Sequence, residues 1–291
     1  MAYFMLLMTT PIQATIQQSM ALAKAHYENF PVASVLLPKD LRAPVGLVYA
    51  FARQADDFAD EGELSPEERL ALLDGFRSQL DQIKHGATPD TPLFQALQAM
   101  IQERDLPLEP FYDLLSAFSQ DVVKARYANF GEVIDYCRRS ANPVGRLMLH
   151  LYKQATPRNV ALSDAICTSL QLINFLQDVD VDYRKNRIYL PLDELQKYNI
   201  TEQQIAGQHS GGTWSLFMEF QVNRTRKLLQ SGAPLGLALP GRIGLEMRMI
   251  IAGGERILKK LHHVRGDVFN QRPTLKPTDW AYMLYRAVRK K

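Results

Sequence analysis

The stretch Leu170–Pro191, reading LQLINFLQDVDVDYRKNRIYLP, constrains the chain more than any other. Leu170, Leu172, Ile173, Phe175 and Leu176 demand burial, and their spacing predicts a helix. Gln171, Asn174, Asp178 and Asp182 recur among them at three- and four-residue steps, which places two amides and two carboxylates on one helix face. An acidic face beside a deeply apolar surface is costly unless a cation sits opposite. Carboxylate and amide oxygens in a water-accessible cleft suit Mg²⁺, which keeps several waters and bridges a few carboxylates to a substrate's phosphates.

A second stretch repeats the pattern. Within Val45–Glu61, Tyr49, Arg53, Asp56 and Asp60 share one helix face, while Asp57 and Glu61 trail it by about 100°. One Asp-x-x-x-Asp pair on a helix is ordinarily a solvated face. Two pairs, each in an apolar helix with polar companions on the same face, point instead to a shared site. Facing each other across a cavity, the four carboxylates would hold a small Mg²⁺ cluster, about two or three ions, and Arg53 would add a donor fork for phosphate. Metal-held diphosphate beside apolar walls is the chemistry of prenyl diphosphates, because the walls shield a carbocation from premature capture.

The remaining chain reads as helical. Sixteen prolines mostly separate segments with a helical apolar period. Helices are expected around 12–27, 40–61, 66–84, 92–104, 109–126, 129–154, 161–184, 213–230, 241–264 and 277–289. Ser65-Pro66-Glu67-Glu68 supplies an N-cap, a proline in the first turn and a capping-box glutamate. The polar stretch 199–212 and the Gly/Pro-rich 231–240 read as connections. No composition shift marks a boundary, so the 291 residues are expected to form one all-α domain, with 1–10 a candidate for disorder.

Composition excludes several functions. Lys plus Arg total 34 against 31 Asp plus Glu, with no dense basic run outside the short C-terminal tail, so nucleic acid is not an expected partner. The two cysteines, Cys137 and Cys167, fit neither a zinc site nor a disulfide framework, and a cytoplasmic location follows as the default. Ala2–Met8 is apolar but too short to span a bilayer and lacks a basic flank, so neither a signal peptide nor a transmembrane helix is expected.

From about His26 to Pro273 the chain resembles the squalene/phytoene synthase family of head-to-head prenyl synthases. Arg53-Gln-Ala-Asp56-Asp57-Phe-Ala-Asp60 is similar to the family's first aspartate-rich motif. Gln171-x-x-Asn174-x-x-x-Asp178-x-x-x-Asp182, followed by Arg187-Ile-Tyr189-Leu-Pro191, is similar to the second. Tyr136-Cys-Arg-Arg-Ser-Ala141-Asn-Pro-Val144-Gly145 matches a segment whose Tyr and small Val-Gly step line the reaction cavity.

The resemblance implies an isoprenoid synthase bundle with a central apolar cavity. It assigns Asp56, Asp60, Asn174, Asp178 and Asp182 to metal, with Arg53, Asp56, Asp178 and Tyr136 taking part in catalysis. Tyr49, Asn29, Ala141, Val144, Gly145, Gln171, Asn174, Arg187 and Tyr189 would contact a prenyl diphosphate. Within the family the resemblance is strongest to the hydroxysqualene-forming branch of the bacterial hopanoid pathway, carried by His26-Tyr-Glu-Asn29-Phe-Pro31, Phe51–Asp57 and Tyr136–Arg146. That branch takes presqualene diphosphate from a separate family member. Head-to-head condensation to presqualene diphosphate, dehydrosqualene or phytoene is the alternative, and a non-enzymatic assembly factor is the alternative of another class.

Departures from the family pattern bear on the branch. Asn29 stands where phytoene- and dehydrosqualene-forming relatives usually carry Ser. Pro143 should kink the helix expected over 129–154 and free a carbonyl near residue 139. No strand-flanked GxGxxG occurs, so no nicotinamide cofactor is expected and water is favoured as final acceptor. Gly253-Gly254 inside a predicted helix implies space for substrate or close helix packing. At the C-terminus, Trp280, Met283, Leu284, Ala287 and Val288 form a stripe beside Arg286, Arg289, Lys290 and Lys291. Docking on the core is the commoner fate of such a helix, and peripheral contact with the inner membrane is the alternative.

Overall fold

In the computed structural model, which describes residues 11–25 and 37–289, the first aspartate motif rides on a helix whose other face is deeply buried. Helix α1 (Pro11–Ala25) packs along α2 (Lys39–Asp60), and α3 (Pro66–Lys84), α4 (Pro92–Arg104) and α5 (Glu109–Val123) surround the latter. Phe51 on α2 is fully buried among Phe76, Phe94 and Phe111, with ring centroids 5.1 to 5.8 Å apart. Such aromatic contacts add about 0.5–1.5 kcal/mol each beyond area burial. The expected capping box starts α3: Ser65 Oγ accepts from the Glu68 N–H, and the Glu68 carboxylate accepts from the Ser65 N–H. Arg69 then gathers the carbonyls of Phe58, Glu61, Gly62 and Leu64, which fixes the corner just past Asp60.

Two helices expected to run unbroken are interrupted. The run 129–154 divides into α6 (Phe130–Ser140) and α7 (Asn142–Leu151), with Ala141 between them at φ −115°. Pro143 has no N–H to continue the α6 ladder and sits in the first turn of α7, where that lack is harmless, so the result is a break rather than a kink. The run 161–184 begins earlier, at Pro157, capped by the Thr156 hydroxyl, and divides at Asp178 into α8 (Pro157–Gln177) and α9 (Val179–Arg184). The step of one turn survives that division: Asp178 N–H bonds the Asn174 carbonyl at 2.9 Å and Asp182 N–H bonds the Asp178 carbonyl at 2.8 Å.

Short helices α10 (Leu192–Lys197) and α11 (Glu202–Ala206) follow, the latter inside the polar stretch read as a connection. Then come α12 (Trp214–Gly232), α13 (Leu235–Ala238), α14 (Gly241–His263) and α15 (Pro277–Val288). Helix α8 packs most extensively on α12 around Ile166, Ile173, Phe217 and Leu229. Gly254 on α14 gives close packing: a Cβ there would lie 3.1 to 3.2 Å from Leu229, Ile173 and Leu170. Helix α15 docks through Asp279, Met283 and Ala287 and leaves Leu284, Tyr285 and Val288 exposed. No helix among the described residues is long and apolar enough to cross a membrane.

A third apolar cluster joins α5, α6 and α8 through Ala117, Val133, Cys137, Leu172 and Phe175. The segment before α6 pairs with the segment after α9: Ile188 N–H bonds the Ala125 carbonyl and Leu192 N–H bonds the Tyr127 carbonyl, each at 2.9 Å. This pairing delivers the chain beyond the second motif to the end of α5.

Candidate active site

Asp56 and Asp60 stand one turn apart on α2, and the chain leaving α9 reaches back to them. Asn186, in the left-handed region at φ 59°, turns that chain, and Arg126 pins the turn by donating to the Asn186 carbonyl at 2.6 Å while forking onto Glu202. Arg187 thereby meets Asp60 at 2.5 Å and Lys185 meets it at 3.1 Å. The two aspartate motifs are thus tied across the fold through the cations that follow the second motif.

Burial, more than any single neighbouring charge, acts on these carboxylates. Burial pushes the Asp56 carboxyl up to about 7, reinforced by Asp60 and partly offset by Arg53. Burial also raises Asp182 to about 7, with Asp178 adding to it and Arg187 and Lys185 working against it. At Asp60 burial acts upward too, yet Arg187 and then Lys185 hold it below the ordinary carboxylate range. Asp178 is held by Arg272 at 2.5 Å, and the neighbouring Gln177 amide donates to the Pro273 carbonyl at 2.7 Å. Arg53 turns along its own helix to Asp57 at 2.7 Å and Asp56 at 3.8 Å.

Tyr136, Tyr189 and Arg187 converge on one further acid. Asp121, on the last turn of α5, accepts from Tyr136 Oη at 2.6 Å and from Tyr189 Oη at 2.9 Å, and Arg187 donates to its backbone carbonyl at 3.0 Å. The rings of Tyr127, Tyr136, Phe175 and Tyr189 form a continuous aromatic wall, with Phe175 and Tyr189 stacked at 4.0 Å. Since a phenol carries one proton, Tyr136 in this arrangement gives it to Asp121 rather than to an incoming diphosphate.

The other sequence-predicted residues take varied places. Tyr49 lies half-buried on α2, and Gln171 and Asn174 lie half-buried on α8. Ala141 is the junction between α6 and α7, and Val144 is partly exposed on the first turn of α7. Gly145 faces α8: a Cβ there would run into Ser163 and come within 2.6 Å of the Cys167 sulfur, so its smallness sets the helix spacing. Arg139 ties α6 to α5 through Ser116 and Gln120, and Asn142 accepts from Thr168 at 2.9 Å. Asn29 lies outside the described residues.

Two residues of this site, Asp121 and Arg272, belong to neither aspartate motif. An acid within the apolar run of α5 was the available signal for Asp121. Arg272 had none, because it is distant in sequence and belongs to no periodic face.

The donor set of Asp56, Asp60, Asn174, Asp178 and Asp182 is all hard oxygen and fits Mg²⁺ in chemistry. Two of its acids are raised to about 7, chiefly by burial and then by a neighbouring carboxylate, and a divalent ion would offset that repulsion. Among the described residues no three acidic, His or Cys side chains already converge as a metal nest, and arginine and lysine hold several of the carboxylates instead.

The squalene/phytoene synthase family model matches residues 23–279. A hydroxysqualene synthase of Rhodopseudomonas palustris is 37% identical over 263 residues, 90% of this chain and 88% of that protein. A phytoene synthase of Arthrospira platensis is 31% identical over 270 residues, 88% of this chain and 86% of that protein. The crystal structure of squalene synthase HpnC from Alicyclobacillus acidocaldarius superposes with a TM-score of 0.80 at 34% identity, covering 87% of this chain and 95% of that one. With its all-α fold and its paired aspartate helices, the chain belongs to the squalene/phytoene synthase family.

Proposed function

We propose that this family member is a hydroxysqualene synthase, converting presqualene diphosphate and water to hydroxysqualene and diphosphate. The observation that carries the reading is the meeting of the α2 and α9 ends around the Asp60–Arg187 pair, beside the aromatic wall of Tyr136, Phe175 and Tyr189. The 37% identity to a hydroxysqualene synthase supports the choice of product. Members of the family generally use a divalent metal with diphosphate substrates. Here Asp56, Asp60, Asn174, Asp178 and Asp182 would hold Mg²⁺, which supplies the positive charge that a departing diphosphate needs.

Arg187, Lys185 and Arg53 contribute fixed positive charge at the same end of the bundle. The C–O bond to diphosphate breaks with its electron pair leaving on oxygen. The cyclopropylcarbinyl cation rearranges and opens between apolar and aromatic side chains, which stabilise positive charge through their faces and exclude bulk water. A single water then forms the new C–O bond and loses a proton, with no nicotinamide step.

A condensing activity is the second reading, supported by the 31% identity to a phytoene synthase. Purified protein offered presqualene diphosphate, farnesyl diphosphate or geranylgeranyl diphosphate with Mg²⁺ and no nucleotide separates the two. Hydroxysqualene from presqualene diphosphate is the expected result; turnover of either other substrate without activity on presqualene diphosphate overturns the assignment. The reading treats 1–291 as one catalytic domain in the cytoplasm, functionally coupled to an enzyme that makes presqualene diphosphate. The outer face of α15, where Leu284 is 46%, Tyr285 55% and Val288 62% exposed beside Arg289, supports peripheral contact with anionic lipid, into which a thirty-carbon product would partition.

A further inference from the structure

Asp121 is a buried acid to which the mechanism above gives no task. It is 9% exposed, and both carboxylate oxygens are taken by tyrosine hydroxyls, Tyr136 on Oδ2 and Tyr189 on Oδ1. Holding two phenols in place does not require a charge. An asparagine carbonyl accepts hydrogen bonds without the cost of burying an anion, which amounts to several kcal/mol before partners offset it. A carboxylate can do what an amide cannot, which is to take up a proton and give it back.

The surroundings keep that capacity intact. Burial pushes the Asp121 carboxyl up to about 6, while the Tyr136 hydrogen bond and the nearby Arg187 charge restrain the rise. It is therefore ionised at neutral pH, yet holds a proton better than a surface aspartate. Burial beside Asp121 drives the Tyr136 hydroxyl well above its ordinary value, so the phenol stays protonated and does not act as a free phenolate. Its oxygen retains lone pairs while its hydrogen is directed at Asp121. The ring stands beside Phe175, the residue that follows Asn174 on α8, with centroids 6.1 Å apart.

We infer that Asp121 is the terminal proton acceptor of the water-capture step, reached through the Tyr136 hydroxyl, an inference that rests on the alcohol-forming reading above. As the water oxygen bonds to the carbocation, one water proton moves to Tyr136 Oη. The proton already on Tyr136 moves along the 2.6 Å hydrogen bond to Asp121 Oδ2. A cation, a water and a carboxylate become a neutral alcohol and a carboxylic acid, and no oxidant or reductant is needed. Asp121 returns its proton to solvent when product leaves. Tyr136 is the group that meets water, and Asp121 is a positioning residue that acts through it.

The test reads alcohol formed per diphosphate released, which is independent of how fast ionisation runs. Single-turnover reactions on presqualene diphosphate with Mg²⁺ compare wild type with Asp121→Asn, Asp121→Glu and Tyr136→Phe, each checked by thermal melting. Asp121→Asn should lower the alcohol fraction about tenfold in favour of thirty-carbon hydrocarbons formed by proton loss, a loss smaller than the ~10²–10⁴-fold of a full general-base contribution because water can still be captured without the relay. Asp121→Glu should recover much of the fraction, and Tyr136→Phe should lose it as Asp121→Asn does. A folded Asp121→Asn that keeps the wild-type alcohol fraction overturns the inference; if that variant does not fold, an unchanged fraction in Tyr136→Phe overturns it. Wild type that releases diphosphate from presqualene diphosphate without forming alcohol overturns the functional reading and the relay together.

Discussion

Replacing Asp182 with Asn should make the metal-free protein more stable at pH 8 while abolishing diphosphate release. The carboxyl is raised from 3.8 to about 7, chiefly by burial and then by Asp178. An acid with a raised value favours the fold while protonated. The unfolded chain ionises first, so that stability is present below about pH 4 and is lost as pH rises to about 7. At about 1.4 kcal/mol per unit the full shift corresponds to about 4 kcal/mol, and solvent screening of a half-buried group reduces this to about 1–2 kcal/mol. Asn removes the cost of burying that charge together with its repulsion from Asp178, and should raise the melting temperature by about 2–5 °C. Asp56→Asn should behave alike, since Asp56 is also raised to about 7 by burial and by Asp60, although its 40% exposed side chain argues for the lower end. Asp60→Asn should do the reverse, because Arg187 and Lys185 hold Asp60 below its ordinary value, so its contribution is present above about pH 4 and lost as pH falls further. Thermal unfolding in EDTA from pH 4 to pH 8 measures all three. A gain for Asp182→Asn that is equal at both ends of that range, or a loss at pH 8, refutes the reasoning.

Restoring Mg²⁺ to the EDTA-treated protein should raise the melting temperature more at pH 8 than at pH 5.5, because the ion competes with protons for Asp56 and Asp182; equal shifts at the two pH values would count against those ligands. Gly145→Ala should cost about 1–3 kcal/mol in a denaturant titration, since its methyl meets Ser163 and Cys167 on α8. Gly254→Ala should cost less, as its neighbours lie at 3.1 to 3.2 Å, and a larger loss there than at Gly145 would contradict the packing account. Asp279 is 1% exposed, and although burial acts to raise it, Lys260, the Lys276 N–H and Arg256 hold it at about 2. Asp279→Asn should therefore loosen α15 by about 1–2 kcal/mol, with the wild-type advantage present above about pH 4 and fading as pH falls through about 2; a wild-type advantage as large near about pH 2 as at about pH 5 would refute it.

Much of the fold was legible because the controlling signals are local. The Ser65 cap, the prolines at the starts of α3 and α4, and the apolar period of α2 each act within a turn or two, and the structure keeps them. The break at Ala141 was half-legible: Pro143 announced a disturbance, but whether a proline kinks one helix or begins another depends on what the preceding turn packs against. The division at Asp178 had no Gly or Pro to mark it. There the backbone steps aside while its hydrogen bonds continue, and Arg272 and Pro273 close over the position from a segment distant in sequence.

The site follows the same division between near and far. Periodicity put Asp56 and Asp60 on one face, and Asn174, Asp178 and Asp182 on another, because a helix turns every residue by a known angle. It could not say what neutralises them. The cations doing so come from a turn after α9 and from the chain after α14, where side-chain direction follows tertiary pairing rather than any repeat. Asp121 shows why this matters for chemistry. On α5 alone it is one acid near a helix end, and its capacity to accept a proton arises only when Tyr136, Tyr189 and Arg187, from three other places in the chain, close around it. A residue proposed to end a proton relay is defined by its neighbours' hydrogen bonds, so the carboxylates proposed to hold metal are readable from spacing, whereas the proposed proton acceptor is readable only in the assembled core.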